Sequence, residues 1–335
     1  MEKNMRYDEA DARALLNSNF ADKLTTENMH FDSAEDASVF FARELDYVKA
    51  KSYDKQYPEL TAEKLFPVST EADEGAETIT WVSYDQVGFA ELISNYATDL
   101  PRADAFGTPN TSYIKSLGDS YGYSLQDMRA SRMAGKSLDA KRAEAARRQI
   151  DRKANEIAWA GDSANKLVGV LSKDNGIPVY TLTNGESGKA SWADKTVDEI
   201  INDIGNMKQF MSDSTQDVEV PDTLLLPPAV WVALTTRRIP GTDSSLLKYL
   251  KENFSDLEFK QAPELGAKST KTNPYGKNVA LLYRNDPEKI EIQIPMRFMQ
   301  YAAQPHNLEV VIPCEERHGG AIIYYPLSLL IAPGV

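Results

Sequence analysis

One apolar stripe in an otherwise charged segment, residues 137–160, constrains the fold of this chain more than any other feature. Its members step by three or four residues, which is the spacing of one face of an α-helix. They are Ala143, Ala146, Ile150, Ala154 and Ile157. Ser137 is the expected N-cap, Asp139 suits the first turn, and Gly161 is the expected stop. The helix should be roughly 36 Å long and lie along a sheet, with its charged side in water.

The segment before this helix, residues 66–128, has the composition of strands. At residues 78–84, TITWVSY alternates between two faces and is rich in β-branched and aromatic residues, which predicts a strand that residues 88–93 continue. Turn formers crowd residues 97–110, and a second strand is predicted at residues 112–124. Two long strands around a polar tip form an extended hairpin. Because an isolated two-stranded hairpin is marginally stable in water, it should pack on another subunit.

The chain after the long helix changes character once more. Residues 165–285 mix helical and strand patterns and predict an α/β module, whereas residues 286–335 are rich in strands. The module has predicted helices at 196–211, 227–234 and 244–253 and predicted strands at 222–226 and 278–283. Later strands are predicted at 289–294, 308–312 and 321–325, and the turn at 317–320 would join the last two as a hairpin.

The first 60 residues are polar and acidic, with short amphipathic pieces such as residues 37–48. An arm of this kind buries little of itself, so it should lie across the rest of the chain or a neighbour. The first 23 residues lack the apolar stretch of a signal peptide, and the chain is therefore expected to fold in the cytoplasm. No apolar run reaches the about 18 residues of a membrane-spanning helix.

Composition narrows the class of protein. Hydrophobic residues make up 42% of the 335 positions, which favours a folded chain with two or three compact modules. The single cysteine, Cys314, excludes an internal disulfide and a zinc site made of several cysteines. The net charge of −13 argues against a protein whose main task is to grip nucleic acid, but it is compatible with enclosing it.

Catalytic patterns are sparse. The sequence has no glycine-rich dinucleotide motif, no P-loop and no zinc-protease motif. The three histidines, His30, His306 and His318, are scattered. The S-x-x-K pattern at residues 112–115 lies in a predicted strand without its partner motifs, and Cys314 with His318 lacks an orienting Asn or Asp. No catalytic residue, metal site or cofactor is therefore assigned, and the chain is not expected to be an enzyme.

The basic side of the long helix carries Arg142, Arg147, Arg148 and Arg152. Three interpretations stay open for it. It could contact phosphate, it could be a solvated face with ion pairs such as Glu144 with Arg148, or it could be a subunit interface. Nucleic-acid contact is the least favoured of the three.

An ordered series of short motifs runs through nearly the whole chain. It consists of FAREL at 41–45, YPEL at 57–60, PVST at 67–70, GAETIT at 75–80, YDQVG at 84–88, DLPRAD at 99–104, GKSLD at 135–139, NEIAWAG at 155–161 and RHGGAIIYYP at 317–326. With an arm, a long two-stranded loop, one long helix, an α/β module and a closing strand-rich segment in that order, the series resembles the Hong Kong 97 fold of tailed-bacteriophage major capsid proteins. The order of the motifs carries the resemblance.

The resemblance implies an α+β fold with a defined domain organisation. Residues 1–65 correspond to the N-terminal arm and residues 66–128 to the extended β-hairpin loop. Residues 129–164 correspond to the peripheral domain, whose spine helix is the segment 137–160. Residues 165–285 correspond to an axial α/β domain, and residues 286–335 return to the peripheral domain.

The implied function is that of a structural subunit. Copies would assemble as pentamers and hexamers into an icosahedral shell that encloses double-stranded DNA without sequence-specific binding. The protein would belong to the virion after assembly in the host cytoplasm, with a separate scaffolding protein and a portal as partners and without a membrane. The expected subunit-interface residues are Trp81, Tyr84, Tyr113, Arg102, Arg148 and Arg152, with the three aromatic side chains as anchors.

Two other functions are alternatives to this one. A bacterial nanocompartment that encloses a cargo enzyme would keep the fold and change the role, although the long polar arm favours the phage. A soluble α/β enzyme would form a small particle of uniform size with a pocket of convergent polar groups. The scarcity of catalytic motifs counts against the enzyme.

Overall fold

The computed structural model describes residues 58–87, 104–135 and 139–335. Helices and strands are mixed along these residues, in agreement with the α+β prediction. Some predictions lie outside the described residues: the arm before residue 58, the strand continuation at 88–93, Arg102 and the N-cap Ser137.

The elements are numbered in chain order. The helices are α1 (Ala62–Leu65), α2 (Leu125–Ala134), α3 (Asp139–Ala160), α4 (Val197–Thr215), α5 (Pro228–Thr236) and α6 (Leu246–Asn253). The strands are β1 (Val68–Ser69), β2 (Thr78–Val87), β3 (Asp104–Tyr113), β4 (Lys115–Ser124), β5 (Thr223–Leu226), β6 (Glu258–Gln261), β7 (Val279–Tyr283), β8 (Ile290–Gln293), β9 (Met296–Gln300), β10 (Gln304–His306), β11 (Glu309–His318), β12 (Gly320–Ile323) and β13 (Leu329–Pro333).

These strands form four sheets. Strands β2 and β3 pair only with each other, and β1, β8 and β12 form a three-stranded sheet in the order β1–β8–β12. A third sheet has the order β10–β11–β4, with β9 also pairing with β11, and the fourth has the order β13–β7–β5–β6. Strand β1 runs parallel to β8 and β5 runs parallel to β6, whereas the other pairs of these strands are antiparallel.

The fourth sheet is buried on both faces and separates two hydrophobic cores. In β7, Leu281 and Tyr283 face the core that contains α1 and the end of α3, whereas Ala280 and Leu282 face the core formed with α4, α5 and α6. Strand β13 alternates in the same way. Because side chains of a strand point to opposite faces in turn, an unbroken apolar run such as VALLY suits a strand covered on both sides.

Helix α3 confirms the strongest prediction. It spans 22 residues, which corresponds to roughly 33 Å. Ala146 and Ile150 pack with Cys314 of β11, and Ala154 and Ile157 are buried further along the same stripe. The chain leaves the helix at Gly161, whose φ of +74° is the left-handed conformation that glycine adopts at little cost.

The predicted helices and strands of the α/β module are present within a few residues of their expected ends. Helix α4 begins with a capping box, in which Thr196 accepts from the N–H of Glu199 and Glu199 accepts from the N–H of Thr196. Its buried side includes Ile200, Ile204 and Met207, as its apolar spacing predicts. Sequence patterns missed the short strand β6, which pairs with β5.

The predicted second strand of the hairpin was wrong in its bounds. Strand β3 begins at Asp104, inside the stretch assigned to a turn, and ends at Tyr113. The following residue, Ile114, is buried, and β4 then joins β11 in a different sheet. The strand predicted at residues 112–124 is therefore the end of one strand followed by another, because pairing partners are tertiary and do not appear in the local pattern.

The predicted hairpin around residues 317–320 was also wrong. Strands β11 and β12 are consecutive but belong to different sheets: β11 pairs with β4, β9 and β10, whereas β12 pairs with β8. Gly320 has a φ of +76°, and a Cβ there would lie 2.4 Å from the carbonyl oxygen of Val168. Gly319 and Gly320 thus mark a crossing between sheets rather than a tight turn. Strand β13, after Pro326, was not predicted.

Candidate subunit interface

The hairpin of β2 and β3 is the part of the described structure that is least covered by the rest. Ten residue pairs join the strands, from Thr78 with Tyr113 to Val87 with Asp104. Among the described residues, no third strand pairs with either edge. Residues 104–109 are exposed on both faces. Within the described part of the chain, the hairpin therefore has two unpaired edges, and residues 104–109 are open on both faces, which is a costly arrangement for a chain that works alone.

Tyr84 supplies the largest exposed apolar surface of β2, with 74% of the residue accessible. It lies directly opposite Gly107, and a Cβ on that glycine would come within 3.1 Å of the tyrosine Cε1 atom. The absence of a side chain at Gly107 thus leaves room for the ring, which lies across β3. Val82, on the same face, is also exposed. Of the predicted anchors, Tyr84 is the one that faces solvent.

Trp81 points to the other side of β2 and contacts the same chain. Its ring meets that of Tyr324 edge-on, with centroids 5.4 Å apart and an interplanar angle of 80°. Such edge-to-face pairs are favoured by the charge distribution of aromatic rings. The hydroxyl of Tyr324 donates to Glu291 of β8. Trp81 therefore holds the hairpin to the sheet of β8 and β12.

The remaining predicted residues have partners in their own chain or lie outside the description. The ammonium of Lys166 lies 5.2 Å from the ring centroid of Tyr113, a cation–π contact. Arg148 is paired with Glu144 at 3.2 Å and Arg152 with Glu156 at 3.7 Å, both at the spacing of one helical turn. These ion pairs agree with the solvated-face interpretation of the helix. Arg102 lies outside the described residues.

Sequence reasoning missed one exposed aromatic residue of the hairpin. Phe106 lies in β3, in the stretch assigned to a turn, and 60% of it is accessible. Phe106 pairs with Asp85 of β2, whereas Tyr84 pairs with Gly107. Because neighbouring residues of a strand point to opposite faces, Phe106 lies on the hairpin face opposite that of Tyr84. The signal that the sequence offered was a phenylalanine among Asp, Ala, Gly, Thr and Pro at residues 104–109.

The weak catalytic patterns are explained by the structure. Ser112 donates to the carbonyl oxygen of Gly319 at 3.4 Å within a strand end. Burial raises the pKa of the Cys314 thiol, helped by the negative charge of Asp119. His318 is buried, and burial lowers its pKa to about 4, so the ring is neutral. A thiol that burial keeps protonated is a poor nucleophile.

The described part of the chain lacks two features that would indicate other roles. No group of three or more His, Cys, Asp or Glu side chains in this part of the chain has the arrangement of a metal site. No helix among the same residues is both long and apolar enough to cross a bilayer.

A sequence profile of the family described as "Major capsid protein" matches residues 88–335, which is well over half of the chain. The chain therefore belongs to the major capsid protein family. No curated protein sequence matches it.

Solved structures with the same fold include several phage capsids. The capsid of Myoviridae phage XM1 has a TM-score of 0.76 at 15% identity, over 89% of this chain and 100% of that one. The capsid of an empty GTA particle has a TM-score of 0.60 at 11% identity, over 91% and 99%. A virus-like particle from Pyrococcus furiosus has a TM-score of 0.50 at 15% identity, over 80% and 90%. The predicted Hong Kong 97-like fold is confirmed.

Family membership defines the general role. A major capsid protein is a structural subunit that assembles with copies of itself into the shell of a virion. The predicted structural function and self-association are confirmed at this level. The matches to the phage XM1 capsid and to the GTA particle have higher TM-scores than the match to the virus-like particle.

Proposed function

We propose that this chain assembles as pentamers and hexamers into an icosahedral shell that encloses double-stranded phage DNA. The observation that carries the proposal is the open hairpin of β2 and β3, whose exposed side chains include Val82, Tyr84 and Phe106. A two-stranded hairpin gains stability when its faces are covered. In a shell of identical subunits, the cover that is always available is a neighbouring copy.

The two faces of β2 have different roles in this proposal. Trp81 and Tyr324 fix its base to the subunit, whereas Tyr84, on the other face of β2, is left for the neighbour. Aromatic side chains at the centre of an interface contribute much of its binding free energy. Tyr84 is therefore the proposed anchor, and Phe106 is proposed to act with it on the opposite face.

The domain organisation is part of the proposal. Residues 1–65 act as the arm, 66–128 as the extended loop with the hairpin at its centre, 165–285 as the axial domain, and 129–164 with 286–335 as the peripheral domain. The described elements support an axial and a peripheral part, because α4, α5 and α6 pack on one face of the fourth sheet and α3 packs on the sheet of β4 and β11. Two strands cross the proposed bounds: β13, within 286–335, pairs with β7, and β4, within 66–128, pairs with β11.

The partners beyond the chain itself are also proposed. A separate scaffolding protein and a portal would guide assembly in the host cytoplasm, and the shell would enclose DNA without reading its sequence. The net charge of −13 supports enclosure without tight binding. The chain is proposed to carry out no catalysis, since its cysteine and buried histidine are held in unreactive forms.

Electron microscopy and light scattering of the expressed chain, alone and with its neighbouring genes, test this function. Closed shells, or rings of five and six subunits, are the expected result. A stable monomer or dimer in both preparations would exclude it. The nucleic-acid content of purified shells separates a phage capsid from the nanocompartment, which would hold protein cargo instead.

Two substitutions test the hairpin within the same assay. Tyr84→Ala should leave the melting temperature of the subunit nearly unchanged and raise the concentration needed for assembly on the order of tenfold. Trp81→Ala, its matched control, should lower the melting temperature because it removes the contact with Tyr324. Normal assembly of Tyr84→Ala would show that the neighbour binds elsewhere.

A further inference from the structure

A cleft of about 590 Å³ lies where α1, α3, β8, β9 and β11 meet. Its walls combine apolar residues with seven ionisable ones. The ionisable side chains are Glu63 and Lys64 on α1, Arg147 and Asp151 on α3, Arg297 on β9, and Glu316 and His318 on β11. The cleft is separate from the hairpin face that carries Tyr84.

Glu316 has no partner in this cleft. Only 4% of the residue is accessible, and no described residue forms a hydrogen bond or an ion pair with it. The other two buried glutamates of the described residues have partners: Glu264 accepts from Thr61, and Oε1 of Glu219 pairs with Lys289 at 2.5 Å, although Oε2 of Glu219 has no hydrogen-bond partner. Buried carboxylates in proteins are normally paired, because an uncompensated charge out of water is costly.

The cations around Glu316 are already engaged. Arg147 pairs with Asp151 at 3.8 Å, and Arg297 pairs with Glu63 at 3.4 Å. Lys64 at the edge of the cleft pairs with Glu59 outside it. His318 is neutral, and its Nδ1 accepts a hydrogen bond from the backbone N–H of Gly320. Among the described residues, giving the Glu316 carboxylate a cationic partner would therefore require breaking an existing pair.

We propose that this cleft is a binding site for a lysine or arginine side chain of a second copy of the chain, with the carboxylate of Glu316 as its counter-ion. The inference rests on the proposed shell function, since a shell brings every subunit against other copies. It adds a second kind of contact to the aromatic one proposed for the hairpin, namely a buried ion pair between subunits.

The electrostatics of the cleft link this contact to protons. Burial raises the pKa of Glu316 to about 7, and the negative charges of Asp151 and Glu63 raise it further than Arg297 and Arg147 lower it. An incoming cation stabilises the carboxylate form and lowers that pKa. Formation of the contact below about pH 7 therefore releases a proton, and falling pH opposes assembly.

The test compares assembly of purified subunits between about pH 5 and about pH 8 for the wild type and Glu316→Gln, followed by light scattering and microscopy. Glu288→Gln is the matched control, because it makes the same change at an exposed position outside the cleft. The wild type and the control should assemble on the order of tenfold more tightly at the upper pH than at the lower one. Glu316→Gln should lose most of this difference and approach the wild type at the lower pH.

A second readout is the proton itself. Assembly of the wild type in weak buffer near pH 6 should release protons that Glu316→Gln does not release. Shells that form with the same pH dependence in all three proteins would overturn the inference and leave the proposed function intact. Absence of shells from the wild type would count against the function instead. Assembly that chelators abolish in the wild type alone would replace the side chain by an inorganic cation and also overturn the inference.

Discussion

The hydroxyl of Thr61 donates a 2.6 Å hydrogen bond to Glu264, which lies 203 residues further along the chain. The same carboxylate accepts from the backbone N–H of Thr61 at 3.2 Å and from the side-chain amide of Asn155 at 3.0 Å. The Asn155 oxygen in turn accepts from the N–H of Ala62 at 3.1 Å. Glu264 and Asn155 thus hold the N-cap residue and the first residue of α1 against α3, and this fixes where the chain after residue 57 enters the subunit.

Glu264→Ala should therefore destabilise the subunit strongly. It leaves the backbone N–H and the hydroxyl of Thr61 and the side-chain amide of Asn155 without their acceptor in a buried place. We expect a loss of about 3 kcal/mol in the free energy of unfolding. Urea denaturation measures it. Glu258→Ala, which removes an exposed glutamate paired with Lys260 at 2.8 Å, should cost less than about 1 kcal/mol. Equal losses would mean that the Glu264 network is unimportant.

The buried ion pair of Lys195 and Asp203 makes a second prediction. Their charged atoms are 2.5 Å apart with both side chains almost fully buried, and the indole N–H of Trp192 donates to the same aspartate at 2.9 Å. Asp203→Ala leaves a buried ammonium without its counter-ion, and we expect a loss of roughly 3–5 kcal/mol in the free energy of unfolding. Circular dichroism during thermal and urea unfolding measures it.

An exposed pair in the same segment is the control for that loss. Lys189 and Asp194 are 3.3 Å apart at the surface. Asp194→Ala should therefore change the free energy of unfolding by about 1 kcal/mol or less, since water screens such pairs. A similar cost for the two substitutions would contradict a special role for the buried pair.

The sequence predicted those elements whose pattern is local. Helix α3 was predicted from its stripe, α4 from its stripe, and β7 from an apolar run. The failures concern pairing. Gly107 and Pro109 indicated a turn, yet both lie in β3, because a two-stranded sheet with open edges accommodates residues that a central strand would reject.

The predicted interface residues also divide into one that faces solvent and others whose contacts depend on distant parts of the chain. Tyr84 faces solvent as an anchor should, but Trp81 and Tyr113 are engaged within their own chain, which depends on distant residues such as Tyr324. Glu316 gave no signal at all. It follows Glu315 in β11, and two consecutive glutamates look like a surface until the fold buries one of them against α3.

Glycine geometry gives a third prediction, with an internal control. Gly161 and Gly188 both have a φ of +74°. A Cβ at Gly161 would lie 2.6 Å from the carbonyl oxygen of Leu167, whereas nothing lies within 4 Å of one at Gly188. Gly188→Ala should cost about 1 kcal/mol from backbone strain alone, and Gly161→Ala about 3 kcal/mol or more. Melting temperatures measure the difference, and equal shifts would show that the close approach relaxes freely.

The pH dependence of the unassembled subunit gives the last prediction. The pKa of Glu316 is raised from 4.5 to about 7 in the folded subunit, so folding holds a proton that the unfolded chain has already lost. This group therefore lowers stability as pH rises from about 4.5 to about 7, and its full cost is present above about pH 7. Glu316→Gln removes the cost. The variant should match the wild type near pH 4.5 and exceed it by about 3 kcal/mol near pH 8.

Urea unfolding of the unassembled protein at the two pH values measures that difference. Glu288→Gln is again the control, because Glu288 is exposed and its removal changes the net charge equally. A gain in stability that is the same at both pH values would come from packing and not from the titration of Glu316. A gain that appears only at the higher pH would show that the isolated subunit carries an unpaired buried charge, which is the state that a cation from a neighbouring copy is proposed to relieve.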